Sequence, residues 1–272
     1  MGRPAGIARR SVVRRDGGSA IEAEEAIAVE EPLEIRIGDT PLAVTMRTPG
    51  HDEELAAGFC WTEGVFDRAD DLVSVRPCER AEFDNVVEVE LTEGAMAHRM
   101  AQIERARRRP FVASSCGLCG KESIDRIEQD VSPAGPGPFV EASLLERLSG
   151  EMERAQAVFA ETGGLHAAGL FDATGRLLVL REDVGRHNAV DKVIGHEVLL
   201  GRVPLTDSIL LVSGRAGFEI VQKAATAGIS IICAVSAPSS LAVDLAQRLG
   251  MTLVGFLRGA RMNVYAGAER LA

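Results

Sequence analysis

Ser208-Ile209-Leu210-Leu211-Val212-Ser213, Ile229-Ser230-Ile231-Ile232-Cys233-Ala234-Val235 and Met251-Thr252-Leu253-Val254-Gly255-Phe256 are three short, nearly continuous apolar runs in the last third of the chain. Strands buried on both faces read this way, because neither side of the pleat meets water. Helical patterns separate them, over 217–228 with Val221, Ala224 and Ala225, and over 241–250 with Leu241, Leu245 and Leu249. Two successive strand–helix units predict a parallel sheet with right-handed crossovers. Ligands of such sheets bind beyond the carboxyl ends of the strands. The exits here are Ser213-Gly214-Arg215, Ser236-Ala237-Pro238-Ser239-Ser240 and Arg258-Gly259-Ala260-Arg261. Glycine lets a ligand approach the backbone, serines and helix N-terminal N–H groups donate hydrogen bonds, and arginines neutralise charge. A phosphate-bearing small molecule is the expected guest.

Upstream, 142–162 is predicted helical, with Leu145, Leu148 and Met152 at helical spacing. Strands over 165–171 and 176–181 flank the turn Asp172-Ala173-Thr174-Gly175, and a helix follows over 189–200. Nearer the start, 33–37 and 42–46 form a hairpin pattern around Gly38-Asp39-Thr40-Pro41, a helix covers 51–65, and strands cover 72–75 and 86–91. This part reads as α+β and mostly antiparallel. The expected division is a flexible tail over 1–20, an N-terminal α+β domain over 21–100, a mobile loop and linker over 101–138, and a C-terminal α/β domain over 139–272 with a mostly parallel sheet.

The 272 residues are 46% hydrophobic and 26% charged, which suits one large or two modest domains. No apolar run approaches the roughly 20 residues that cross a bilayer, and the Arg- and Gly-rich start lacks the apolar segment of a secretory signal. A cytoplasmic protein with no membrane partner is expected. The formal net charge of −10 argues against a general nucleic-acid binder. Five cysteines with one close pair make a poor disulfide framework.

That pair, Cys116-Gly117-Leu118-Cys119, lies in a Ser/Gly-rich stretch, with Arg105 and Arg107-Arg108-Arg109 before it and Lys121 after it. Nearby cations favour the thiolate, the form that attacks sulfur or binds metal. Three readings of the residues stay open: thiol-based transfer, half of a structural zinc site, and a thioredoxin-like redox pair. The second lacks obvious further ligands, since Cys60, Cys78 and Cys233 are isolated. The third lacks the strand-to-helix context. A second polar concentration is Arg181-Glu182-Asp183-Val184-Gly185-Arg186-His187-Asn188, between a strand and a helix that Asn188 is expected to cap. His166, just past Gly163-Gly164, is a weaker signal, and His51, His98 and His196 read as surface or packing residues.

The motifs Ser114-Ser115-Cys116-Gly117-Leu118-Cys119-Gly120, Gly163-Gly164-Leu165-His166, 181–192, Ser213-Gly214-Arg215 and Ala237-Pro238-Ser239-Ser240 occur in an order that resembles the formate dehydrogenase accessory sulfurtransferases, the FdhD family. The resemblance implies an enzyme that takes sulfur from a cysteine desulfurase as a cysteine persulfide. The acceptor it implies is the molybdenum or tungsten bis-guanine-dinucleotide cofactor of formate dehydrogenase. Residue by residue, it implies persulfide on Cys116, with Cys119 assisting. It implies cofactor binding at Phe256, Leu257, Arg258, Gly259, Ala260 and Arg261. Ser213, Gly214, Arg215, Ser239, Arg186 and His187 are expected to complete a seat for a guanine-nucleotide-like ligand. A homodimer, a cytidine-deaminase-like C-terminal fold and no tightly held metal of its own are also implied. The deaminase H-x-E and P-C-x-x-C zinc signature is missing, so deaminase chemistry is not expected. A non-enzymatic cofactor-binding chaperone is the alternative reading.

Overall fold

The computed structural model describes residues 6–78, 85–98, 103, 111–112, 133 and 135–272. The three apolar runs are strands β10 (Ser208–Val212), β11 (Ile231–Ala234) and β12 (Thr252–Arg258), and they lie side by side in parallel. Outside this centre the sheet is antiparallel, which corrects the mostly parallel expectation. β8 (His166–Asp172) runs against β10, β9 (Leu177–Asp183) folds back on β8, and β13 (Arg261–Ala266) folds back on β12. The cause is local. Gly175 and Gly259, both at positive φ, close tight turns that return each edge strand antiparallel to its neighbour. The order is β13-β12-β11-β10-β8-β9.

Period-2 alternation divides the core. Ile209 and Leu211 of β10 face helix α2 (Ala142–Ala155), which contributes Leu144, Leu145, Leu148 and Met152. Leu210 and Val212 face the opposite side, with helices α4 (Arg186–Leu199), α5 (Phe218–Thr226) and α6 (Ser240–Arg248). The predicted helix over 142–162 is in fact two. It breaks at Gln156, and the N–H groups of Val158 and Phe159 in α3 (Ala157–Thr162) donate to the Glu182 carboxylate at 2.9 and 2.7 Å. Glu182 thereby satisfies the start of a new helix, a structural role.

A second sheet has the order β5-β6-β3-β4-β7, from β3 (Glu31–Ile37), β4 (Thr40–Arg47), β5 (Leu72–Pro77), β6 (Val86–Leu91) and β7 (Phe111–Val112). It is mixed rather than mostly antiparallel, because β3 pairs parallel with β6 and β4 parallel with β7. The 101–138 segment falls almost wholly outside the described residues, including Cys116 and Cys119. Where it is described again, 135–140 lies alongside the C-terminus: Arg270 Nε donates to the Pro136 carbonyl at 3.0 Å, and Val140 forms a parallel bridge to Leu271.

The predicted tail is also corrected. Strands β1 (Ile7–Asp16) and β2 (Ser19–Ala28) form an antiparallel ribbon. Gly17 and Gly18 both have positive φ, as a two-residue hairpin turn requires. Arginines of β1 face glutamates of β2, with Arg14 and Glu25 at 2.6 Å and Arg9 and Glu24 at 3.7 Å. These pairs are exposed and each contributes little, so they specify register more than stability.

The hydrophobic core does not stop between the two sheets. One buried cluster runs from Leu33 and Ile35 through helix α1 (Asp52–Thr62) to Val190, Ile194 and Val221. Its tightest point is the crossing of α1 and α4. A Cβ at Gly58 would sit 1.8 Å from the Asp191 carbonyl oxygen, and one at Gly195 would sit 1.8 Å from that of Glu54. Alanine at either position gains about 1 kcal/mol of helix propensity but forces two backbones apart, at about 3 kcal/mol or more. Gly58→Ala and Gly195→Ala are therefore expected to lower the unfolding midpoint by several degrees in a thermal melt. Unchanged midpoints would show that the helices can separate without cost.

Candidate functional site

The residues 181–192 leave β9 and enter α4, and most of their polar groups hold the two sheets together. Arg181 pairs with both oxygens of Glu54 in α1, at 2.5 and 2.7 Å. Asp183 is fully buried. It accepts from the N–H groups of Gly185 at 2.8 Å and Thr48 at 3.2 Å, from the Asn188 amide at 3.0 Å, and from Lys192 Nζ at 2.7 Å. Lys192 also donates to the Thr48 carbonyl at 2.8 Å. A buried pair of charges needs its remaining hydrogen-bonding capacity met, and this pair has it. The helix cap is Gly185, not Asn188. Asn188 instead donates to the Met46 carbonyl at 2.7 Å and accepts from the Thr45 hydroxyl at 3.2 Å. A parallel case lies one turn along α4, where buried Asp191 takes Lys223 Nζ at 2.9 Å and the Thr62 hydroxyl at 2.9 Å.

Arg186 and His187, at the start of α4, belong instead to the end of the central sheet. There β10 exits through Ser213-Gly214-Arg215 into α5, whose first turn carries Glu219. Gly214 lies under His166: a Cβ there would be 3.2 Å from His166 Nδ1 and 3.9 Å from Arg186 Cδ. His187 Nε2 is 3.0 Å from Glu219 Oε2. The three exits are stitched together. Ala216 bridges to Pro238 and accepts from the Ser239 N–H at 3.1 Å, and the Phe256 N–H donates to the Ser236 carbonyl at 3.1 Å.

The expected site residues fare differently. Ser213 Oγ accepts from the Ala167 N–H at 2.8 Å and Ser239 Oγ caps α6 by accepting from the Ala242 N–H, so both hydroxyl oxygens hold backbone. Leu257 is buried against α2. Its neighbour Phe256 is 38% exposed and holds φ at 54°, a region bulky residues avoid, so the fold maintains a strained backbone to present this ring. Arg258, Gly259, Ala260 and Arg261 form the exposed turn between β12 and β13, and the Gly259 N–H donates to Ser149 Oγ of α2 at 3.2 Å. Arg215 is exposed beside Gly214. Cys116 and Cys119 lie outside the described residues. Of the other thiols, Cys60 and Cys233 are core residues, and burial pushes both up, Cys233 to about 12. Neither forms a thiolate near neutrality.

Sequence reasoning missed Glu219 and Glu54. A lone acid in a helix's first turn looks like a complement to the helix dipole, and Glu219 carries no further signal. Glu54 was legible only once folding brought Arg181, His51 and His196 onto it, and the Arg181 and histidine hydrogen bonds hold its carboxyl well below the usual range despite burial.

Burial and the cations beside them keep both site histidines neutral. His187 is pushed down to about 3, first by desolvation, then by Arg186, Lys223 and His166. His166 is lowered by desolvation, Arg186 and Arg215. The strand exits therefore offer fixed positive charge from arginine alone, flanked by uncharged imidazoles. Such a seat suits an anion that also carries hydrogen-bonding groups. Among the described residues, no group of three or more His, Cys, Asp or Glu side chains could hold a metal ion, and no helix is long and apolar enough to cross a membrane.

The FdhD/NarQ family profile matches residues 28–272. The chain belongs to the FdhD/NarQ family. Relatives named sulfur carrier protein FdhD include one from Streptomyces avermitilis, 50% identical over 97% of this chain and 95% of the relative. One from Mycobacterium tuberculosis is 48% identical over 97% of this chain and 98% of its own length. A crystal structure from Desulfotalea psychrophila, reported as a formate dehydrogenase accessory protein, superposes with a TM-score of 0.79 at 26% identity, covering 98% of this chain and all of that one. The family profile begins at residue 28, where the β1–β2 ribbon ends, so its match spans the two sheets and their shared helices.

The histidines make stability depend on pH. His187 is nearly buried and its folded value lies below its unfolded value of 6.5, so the unfolded chain binds the proton first. Its contribution is complete above about pH 6.5 and is lost as pH falls towards 3, at about 1.4 kcal/mol per pH unit. Between pH 7 and pH 5.5, denaturant unfolding is expected to show a fall in stability of which about 1.3 kcal/mol comes from this group and is lost in His187→Gln. Equal pH slopes in both proteins would contradict a neutral buried His187.

Proposed function

We propose that this protein is a sulfur carrier that takes sulfane sulfur from a cysteine desulfurase onto Cys116 and passes it to the molybdenum or tungsten bis-guanine-dinucleotide cofactor destined for formate dehydrogenase. The observation that carries the reading is the nearly full-length match to relatives named as sulfur carriers. The donor's persulfide gives its outer sulfur to the Cys116 thiolate and the donor cysteine leaves as thiolate. The Cys116 persulfide then gives the same sulfur to the metal of the reduced cofactor, its S–S bond breaking so that Cys116 leaves as thiolate while the metal supplies the two electrons that take the sulfur to sulfide. Cys119 assists as a second thiol. Of the other cysteines, Cys60 and Cys233 are held in the core as protonated thiols.

The strand exits are the seat for the cofactor's guanine-nucleotide end. Arg186, Arg215, Arg258 and Arg261 supply positive charge, and the exposed Phe256 ring offers a face on which a base can stack. The chain leading to the thiols starts nearby. Val112 in β7 pairs with Thr45, whose hydroxyl bonds Asn188 next to His187. Cys116 follows four residues later, a tether of at most about 14 Å. A cytoplasmic homodimer, with a formate dehydrogenase as recipient, completes the proposal.

Incubation with a cysteine desulfurase and cysteine is expected to add one sulfur atom to the wild-type protein by intact mass. Cys116→Ala should abolish both that addition and the activation of formate dehydrogenase. Full activation by the alanine variant would overturn the carrier role and favour a chaperone that binds cofactor without covalent chemistry. Arg215→Ala should weaken binding of guanosine diphosphate by about tenfold or more, measured by titration calorimetry, while leaving sulfur loading intact.

A further inference from the structure

We infer that Glu219 is a positioning residue of the strand-exit site: it fixes the tautomer of His187, so that the ring meets the bound ligand only as a hydrogen-bond acceptor. This rests on the reading of that site as the nucleotide seat. His187 Nε2 lies 3.0 Å from Glu219 Oε2, and both side chains are largely shielded, at 10% and 17% exposure. A carboxylate can only accept, so the ring nitrogen facing it carries the hydrogen. A neutral imidazole with Nε2–H has a bare lone pair at Nδ1. The groups around the ring are Arg186 on its own helix, Lys223 and Glu219 on α5, and His166 on β8. The cations among them, together with burial, oppose a second proton.

The ligand chemistry follows. Arginines on the exits meet an anionic group, and the acceptor at His187 selects a neighbouring donor, a hydroxyl or N–H. A nucleoside diphosphate has both, whereas inorganic diphosphate near neutral pH has little to donate. Glu219 therefore helps the site tell a nucleotide from a bare polyphosphate, although it is assigned no ligand contact.

Glu219→Gln keeps the shape but can turn an N–H towards the ring, allowing the opposite tautomer. In long-range proton–nitrogen NMR spectra, with the His187 signals assigned by comparison with His187→Gln, the wild-type ring is expected to be protonated at Nε2. The Gln variant is expected to shift partly or wholly to Nδ1–H. In calorimetric titrations, guanosine diphosphate should bind the Gln variant about tenfold more weakly and inorganic diphosphate equally well, and Glu219→Asp should recover part of the loss. An unchanged tautomer with unchanged nucleotide affinity in Glu219→Gln would overturn the inference while leaving the seat intact. Absence of guanosine diphosphate binding by the wild-type protein would overturn the seat itself, and the ligand role assigned to His187 with it.

Discussion

The contact on which the structure depends is the near-touching passage of helices α1 and α4 through Gly58 and Gly195. Glycine on each side lets the helices meet backbone to backbone, with no room for a methyl group. At that separation short polar side chains can reach across. Thr62 of α1 bonds Asp191 of α4 at 2.9 Å, and Glu54 of α1 bonds His196 of α4 at 3.0 Å. Widening the crossing by the width of a side chain would leave Asp191 and Lys223 buried with fewer partners. An incompletely solvated buried ion pair destabilises by several kcal/mol. The glycines and the buried charges are thus one device: the first makes the second tolerable, and the second penalises sliding or rotation that apolar packing alone would allow.

The central sheet was legible because its signal is local. Runs such as Ile209 to Val212 announce burial on both faces without reference to anything distant, and period 2 then assigns Leu211 to one core layer and Leu210 to the other. The junction of β8 with β10 was less legible, since that antiparallel pairing joins strands distant in sequence and has no local turn to announce it. The β1–β2 ribbon was missed for a different reason. Its strands are charged and exposed, so hydrophobic alternation is weak, and the deciding signal is the Gly17-Gly18 pair set between a basic and an acidic strand.

The polar stretch 181–188 shows where local reading ends. Its density of charge reads as a site in the sequence, and the structure gives Arg181, Glu182, Asp183 and Asn188 structural partners, most of them far away in the chain. Glu54 and Thr48 receive Arg181 and Asp183 only after the N-terminal sheet has docked, more than 120 residues upstream. Ser213 and Ser239 carry the opposite lesson. Their side chains suited an anion, yet each oxygen is already accepting a backbone N–H. Each hydroxyl keeps its hydrogen to donate, so these exits offer two serine O–H groups beside arginine charge, imidazole nitrogen and an exposed ring.

This division has a physical consequence for the site. Asp183 and Asn188 tie the end of β9 and the start of α4 to Thr48 and Met46, while Arg186 and His187 lie between them and belong to the strand exits. One short segment therefore sets both the docking of the N-terminal sheet and the position of the groups beside Gly214. The two cannot vary independently, because Asp183 bonds the Gly185 N–H that begins the helix on which Arg186 sits. The N-terminal sheet in turn carries β7 on the outer side of β4, and β7 leads into the segment that holds the paired cysteines. A rigid link from Asp183 through Thr48 to β4 thus joins the strand exits to the root of the thiol-bearing chain. The docking of the N-terminal sheet and the position of the point where the cysteine-bearing stretch leaves that sheet are therefore set by the same buried contacts.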